Sequence, residues 1–377
     1  MPCLNEADTL QACIQKALSS IKALGIAGEV VVADNGSTDG SVQIAEAAGA
    51  RVVHVAQRGY GSALMGGIEV ARGKYVVMGD ADDSYDFLEI PKFFERLNEG
   101  YDLVQGCRLP SGGGDIRPGA MPFLHRLVGN PLLSFLVRLM FRAPIHDVYC
   151  GMRGFTKALY QRLGQRCTGM EFATEMIIKS SLFRESIAEV PITLHPDGRK
   201  AHAPHLRTFR DGWRTLRLFL LYSPRWLFLV PGMILILIGI VGYALAMLGV
   251  QIGVWRVDLH TMLFASLFVL MGYQAILFAV MGKVYAIGAG LIPLDSRLSR
   301  LFGVLTLERG LIMSALVFLL GIGLLGKACY AWWAVDFGDL EYSHTMRWVI
   351  SGAISAALGF QSLLFCWFIS ILGMDRK

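Results

Sequence analysis

Beyond residue 225 charge almost disappears from the sequence, and what remains is confined to short connections. No charged residue lies between Arg225 and Arg256, a stretch whose centre reads WLFLVPGMILILIGIVGYALAML, or from Leu259 to Gly282. Gly310 to Gly326 is likewise uncharged, and it extends through ACYAWWAV with Lys327 snorkelling to the interface. Trp348 to Met374 is the fourth such stretch. About 20 apolar residues cross a hydrocarbon core roughly 30 Å thick, so each stretch predicts a transmembrane helix. With 54% hydrophobic and 17% charged residues over 377 positions, the chain reads as a membrane protein rather than two soluble domains.

Charge also sets the expected orientation. The segment before the first span carries Arg207, Arg210, Arg214, Arg217 and Arg225 against Asp211. Between spans two and three stand Lys283, Arg297, Arg300 and Arg309 against Asp295 and Glu308. Between spans three and four the balance reverses, with Asp336, Asp339 and Glu341 against Arg347. Basic loops stay cytoplasmic, which places both termini on that side of a cell (inner) membrane. No cleavable leader pattern heads the sequence, so the soluble part is expected in the cytosol. The seven cysteines show no CxxC pair and no zinc spacing, and are read as small buried residues without disulfides.

The preceding residues alternate β-prone runs with helical stretches: EVVVADNGSTDGS, ARVVHVA, GYGSALMGGIEVARG, KYVVMGD and YDLVQGCR. That alternation predicts an α/β domain with a mostly parallel, helix-covered sheet. Ligands of such sheets sit at the carboxyl ends of strands. DNGSTD and GDADDSYD both fall there, so the two turns are expected to share one crevice. The second turn gathers Asp80, Asp82, Asp83 and Asp86. Carboxylate oxygens suit a hard divalent cation, which is commonly held by one or two of them together with substrate phosphates.

PCLNEADTL, VVADNGSTDGS, ARGKYVVMGDADDS and LVQGCR, in that order and spacing, resemble the motifs of family 2 glycosyltransferases with the GT-A fold. The likeness is strongest to the polyprenyl-phosphate hexose synthases, the group containing dolichyl-phosphate mannose and glucose synthases. It covers the chain up to Arg225, while the spans resemble the variable membrane anchors of that group. The resemblance implies a GT-A (Rossmann-like) domain over residues 1–205, a juxtamembrane amphipathic helix over 206–225 and a membrane domain over 226–377. It implies an inverting transfer of hexose from a nucleotide sugar, UDP-glucose or GDP-mannose, to undecaprenyl or dolichyl phosphate. The lipid-linked product would supply cell-envelope glycan or glycoprotein assembly.

By the same resemblance, Pro2, Asn5 and Glu6 line the nucleotide pocket beside Asp34 and Asn35. Asp80 and Asp82 are the Asp-x-Asp pair that holds Mg2+ or Mn2+, with Asp80 nearer the sugar and Asp82 on the metal. Arg108 lies near the donor diphosphate. Arg199 and Lys200 bind phosphates, and Arg126 belongs to the acceptor loop. Here Asn35 stands where the family commonly has Asp, and Ser84 where some relatives have a glutamine ligand. Catalytic roles thus fall to Asp80, Asp82, Arg108, Arg199 and Lys200.

The remaining motifs have plainer readings. His195, His202 and His205 are phosphate-binding or solvent-facing rather than a metal site. Glu171 and Glu175, four apart on a predicted helix, form structural salt bridges. Leu206 to Tyr222 and HRLVGNPLLSFLVRLMFR each set an apolar stripe beside arginines, which fits anionic lipid at an interface rather than nucleic acid. A processive polysaccharide synthase would carry Gln-x-x-Arg-Trp, whereas this chain has YSPRW without the Gln. A non-catalytic membrane protein with a nucleotide-sensing domain is disfavoured by the intact Asp80-Ala81-Asp82. Self-association into a homo-oligomer is compatible with the sequence.

In the resembled fold the PxxNE motif follows a central first strand, yet here Pro2 follows Met1 directly. The expectation is an apolar strand of about six to ten residues upstream of Met1. In the sequence as it stands, the first strand is expected to be missing and the sheet defective on the nucleotide side. The charge counts carry their own test, cysteine labelling in intact cells. A probe at Ser343 is expected to react from outside and one at Ser299 to be shielded; the reverse pattern would invert the topology.

Overall fold

The structure, a computed structural model, describes residues 1–199, 208–252, 255–304 and 306–374. The chain divides into two compact units, Met1–Phe219 and Leu220–Lys377.

The first unit runs β1 (Pro2–Cys3), α1 (Leu10–Ala23), β2 (Val31–Asp34), α2 (Ser41–Ala47), β3 (Arg51–His54), α3 (Tyr60–Val70) and β4 (Tyr75–Met78). It continues with α4 (Ile90–Asn98), β5 (Leu103–Cys107), β6 (Asp115–Ile116), α5 (Asn130–Phe141), β7 (Arg153–Thr156) and α6 (Lys157–Leu163). α7 (Phe172–Phe183), β8 (Ile187–Pro191), β9 (Thr193–Leu194) and α8 (Thr208–Tyr222) complete it. The ladders β1–β2, β2–β3, β5–β8 and β6–β9 are parallel, as the alternating pattern predicts. β7 is the exception. It runs antiparallel between β4 and β5, pairing Met78 and Gln105 with Arg153.

The first strand, expected to be missing, is present only as a two-residue stub, and the sheet is divided beside it. β1 is present as a two-residue strand with Pro2 opposite Ala33 and Cys3 opposite Asp34. The backbone ladder extends through Met1, whose carbonyl accepts from Ala33 N at 2.9 Å. No ladder joins β1 to β4 among the described residues, so the order is β1-β2-β3 in one sheet and β4-β7-β5-β8 in another.

The core explains the element choice. β5 is buried at all five positions, which suits its unbroken LVQGC. On α1 the residues Leu10, Cys13, Ile14 and Ala17, spaced at the helical period, turn inward. Phe93 and Leu97 of α4 join them from the other sheet's cover. All seven cysteines are free. Cys3, Cys13, Cys107 and Cys150 are buried, but Cys167 and Cys366 are half-buried and Cys329 is exposed, so the reading of all seven as buried residues holds for four.

The second unit contains α9 (Val230–Leu248), β10 (Gln251–Ile252), β11 (Trp255–Arg256), α10 (Leu259–Gly288), α11 (Ser296–Val304), α12 (Leu307–Trp333) and α13 (Tyr342–Met374). Among the described residues, four helical segments are long and apolar enough to cross a membrane: Arg225–Leu248, Leu259–Gly288, Leu307–Trp333 and Tyr342–Leu372. Glycines let their backbones approach. A Cβ on Gly272 would lie 2.6 Å from Gly232 O, and one on Gly359 2.4 Å from Phe318 N. Lys327 lies within the third span and sets its ammonium 3.8 Å from the ring centre of Trp348, a cation–π contact.

Candidate active site

β4 ends at Met78, and the chain turns through Gly79-Asp80-Ala81-Asp82. Asp83 adopts φ 58° and turns the loop further along. Thr9 Oγ1 donates to Ala81 O at 2.6 Å, tying this turn to the loop that follows β1. Both turns thus lie at strand carboxyl ends, after Asp34 and Met78.

The two carboxylates are held differently. Asp80 Oδ1 accepts from Tyr60 Oη at 2.8 Å. Its Oδ2 faces the backbone of Gly151, where a Cβ would lie 2.7 Å away, so only glycine leaves that room. Burial, with the charge of Asp82 second, pushes the Asp80 carboxyl up to about 6, against the pull of Tyr60, Arg199 and Arg108. Asp82 Oδ1 accepts from Ser84 N at 3.0 Å and Ser84 Oγ at 2.6 Å, which fixes its rotamer. Ser84 thus orients a carboxylate. Asp82 Oδ2 receives Arg199 Nη2 at 3.1 Å.

Arg199 draws the acidic groups together. Its guanidinium chelates Asp197, with Nε and Nη2 at 2.6–3.0 Å from the carboxylate oxygens, and reaches Glu6 Oε1 at 3.1 Å. Burial alone would weaken its hold on the proton, but Asp197, Glu6 and Asp82 outweigh that and raise its pKa. The pocket is thus an anionic oxygen set with a cation seated on Asp82 Oδ2. Carboxylate oxygens of this kind fit a hard divalent ion. Among the described residues there is no cluster of three His, Cys, Asp or Glu of ligating geometry, so substrate phosphate or water would complete any coordination.

Around the turns after β1 and β2 the polar residues brace their own loops. Asn5, at φ 60°, accepts from Thr38 N at 2.8 Å, and its own N–H donates to Ser37 Oγ at 3.0 Å. Glu6 N donates to Ser41 Oγ at 2.9 Å. Asp34 takes Ser37 N, Gly36 N and the His54 ring at 3.0–3.2 Å. Burial works against its charge, yet these hydrogen bonds hold its carboxyl below the usual range. Asn35 gives both amide protons to Val55 O and Gln57 O at 2.9 Å and accepts from Gly59 N at 2.8 Å. Asn rather than Asp at this position is what allows donation to two carbonyls.

Arg108 lies deeper than the resemblance implied. Its Nε and Nη2 grip Asp147 at 2.7 and 3.0 Å, and Nη1 reaches Tyr85 Oη at 3.3 Å. The residue is 7% exposed, so it acts on the crevice by charge and by holding Tyr85. Tyr85 Oη in turn accepts from Gly151 N at 2.8 Å. Arg126 is exposed on a turn of π-helix, His125–Gly129, away from these contacts. Lys200, His202 and His205 lie outside the described residues. Tyr60, Tyr85, Asp147 and Asp197 were not singled out from the sequence. GYG a few residues after a strand, and the Asp147–Phe155 segment DVYCGMRGF, were the signals available.

Residues 1–164 match the glycosyl transferase family 2 model, and 280–373 match the family 2 glycosyltransferase C-terminal transmembrane region. Over 376 residues the chain is 35% identical to the low-salt glycan biosynthesis hexosyltransferase Agl6 of Haloferax volcanii, covering 99% of this chain and 88% of that one. It is 34% identical to a dolichyl-phosphate hexose transferase of the same organism, covering 49% of this chain and 76% of that one. Among solved structures, glucosyl-3-phosphoglycerate synthase from Mycobacterium tuberculosis with Mn2+, uridine diphosphate and glucosyl-3-phosphoglycerate aligns at 24% identity and a TM-score of 0.44. That alignment covers 58% of this chain and 76% of that one. The soluble fold and the four apolar helices define a multi-pass membrane glycosyltransferase. The chain belongs to glycosyl transferase family 2.

The raised Asp80 carboxyl has a measurable consequence. Between its ordinary 3.8 and about 6 the folded protein keeps a proton that the unfolded chain releases. Its contribution to stability is present below the lower value and is lost as pH rises through the upper one. Asp80→Asn cannot ionise, so at about pH 7.5 it is expected to be more stable than wild type by ~1–3 kcal/mol. The difference should vanish near pH 4 in thermal denaturation of the detergent-solubilised protein. Equal midpoints at both pH values would contradict the raised carboxyl.

Proposed function

We propose that the chain transfers a hexose, with inversion, from a nucleotide sugar to a polyprenyl phosphate. The observation that carries this reading is the Asp80–Asp82 pair with Glu6 and Arg199 in one crevice, on a chain that continues into four apolar helices. The relative named dolichyl-phosphate hexose transferase supports the choice of acceptor. So does the segment leading into α5, where Phe123, Leu124, Leu127, Leu132, Phe135 and Leu139 are exposed alongside Arg126, Arg138 and Arg142. An apolar face flanked by arginines fits a surface of anionic lipid headgroups.

The residues divide the work by geometry. Asp80, held by Tyr60, would receive the donor sugar or ribose, and Asp82, fixed by Ser84, would face the diphosphate. A divalent cation, Mg2+ or Mn2+, would be held by these two carboxylates and would neutralise charge on the leaving diphosphate. Arg199 would move from Asp82 to phosphate oxygen as the donor enters, since a guanidinium donates to carboxylate and phosphate oxygens alike. Arg108 would add positive potential from below while fixing Tyr85. A phosphate acceptor is already anionic near neutral pH, so no strong general base is required. Catalysis then rests on positioning and charge stabilisation.

The test is a panel of labelled nucleotide sugars, UDP-glucose and GDP-mannose among them, offered with undecaprenyl and dolichyl phosphate. The expected product is a single hexose on the lipid phosphate by mass. A polymer would favour a processive synthase, and no transfer from any donor would remove the enzyme reading of this acceptor. Asp82→Ala is expected to lower turnover at least ~100-fold while the protein stays folded and membrane-bound. Arg199→Ala is expected to raise KM for donor about tenfold, the effect of losing a charge-assisted phosphate contact. Near-normal turnover of Asp82→Ala in excess Mn2+ would contradict the assignment.

A further inference from the structure

An ion pair that touches none of the proposed substrate groups lies buried on α7. Glu175 and Lys179 are 0% and 1% exposed and 3.1 Å apart. A buried pair seldom adds stability over well-packed apolar residues, so its contacts need another explanation. Lys179 Nζ donates to Leu163 O at 2.9 Å and Gly164 O at 2.8 Å, where α6 ends. Glu175 Oε2 accepts from Arg166 N and Cys167 N, both at 2.9 Å. The pair therefore grips one loop from both sides, carbonyls by the cation and amides by the anion.

That loop is the seat of the first turn of α3. Thr168 O accepts from Ser62 N at 3.1 Å. A Cβ on Gly59 would lie 2.3 Å from Thr168 O, and one on Gly61 would lie 2.3 Å from Cys167 O. The two backbones are thus in direct contact on either side of Tyr60. Tyr60 is the residue whose hydroxyl holds Asp80 Oδ1 at 2.8 Å.

We propose that the Glu175–Lys179 pair positions Asp80, acting through the 163–168 loop and the first turn of α3 that carries Tyr60. The inference deepens the proposed function and rests on it, because the aim of Asp80 matters only if a donor binds there. Glu175 and Lys179 are positioning residues and touch no substrate.

The test is a double-mutant cycle in the full-length protein, Glu175→Leu/Lys179→Met against Tyr60→Phe. Each is expected to lower kcat about tenfold, and together they should cost less than about twofold more than either alone, since both act through one contact. Hydrogen exchange at amides 60–64 should quicken in the Leu/Met variant, while exchange at 103–107 stays as in wild type. A merely structural pair would give losses that multiply, and wild-type kcat in the Leu/Met variant would overturn the proposal outright. If that variant does not fold, Gly61→Ala displaces the same turn from the other side and takes its place in the cycle, with the same expected non-additivity. Should wild type transfer no hexose, the proposed function fails on its own. The positioning link is then judged by exchange, and unchanged exchange at 60–64 overturns it.

Discussion

Two carboxylates two residues apart repel each other, and the crevice is arranged around keeping both. Burial first, and the neighbouring charge of Asp82 second, favour protonation and raise the Asp80 carboxyl to about 6. The structure offsets the repulsion with donors aimed at separate oxygens: Tyr60 at Asp80, Ser84 and Arg199 at Asp82. Each donor comes from a different element, so α3, the strand-end turn and the 195–199 segment are all oriented by this one electrostatic requirement. The same requirement makes the pair suited to a cation or a cation–phosphate group.

The supporting contacts are mostly buried and mostly to backbone. Arg108 is fixed by Asp147, whose own N–H is held by Glu189 Oε1 at 3.0 Å. Asn35 secures residues 55–59, and Glu175 with Lys179 secures residues 163–167. Buried polar groups of this kind are costly unless satisfied, and when satisfied they specify one arrangement. The crevice is thereby preorganised by residues with no chemistry of their own.

The spans, the α/β alternation and the acidic turn were legible because each is a local pattern: length without charge, period, and a strand followed by carboxylates. Lys327 did not interrupt the third span, and its aromatic partner Trp348 explains how the charge is tolerated there. What stayed hidden depends on long-range partners. RGFT has no periodicity to announce an antiparallel strand between β4 and β5, and its direction is set only by pairing with Met78 and Gln105. Arg108 reads as a residue near the donor diphosphate, and its hold by Asp147, 39 residues away, shows only in the fold. Tyr60 looked like one aromatic in a glycine-rich helix start, and only the fold aims it at Asp80. The two-residue β1 lies below the length at which a strand can be read from alternation.

The proposed activity requires the Asp80–Asp82 turn to receive a divalent cation together with a nucleoside diphosphate. Electron paramagnetic resonance of Mn2+ titrated into the protein with UDP or GDP present measures this without reference to turnover. One bound Mn2+ per chain is expected, with its signal broadened by 17O in the diphosphate, and that binding is expected to be lost in Asp82→Ala. Equal Mn2+ binding by wild type and Asp82→Ala, or a bound ion insensitive to the labelled diphosphate, would contradict it.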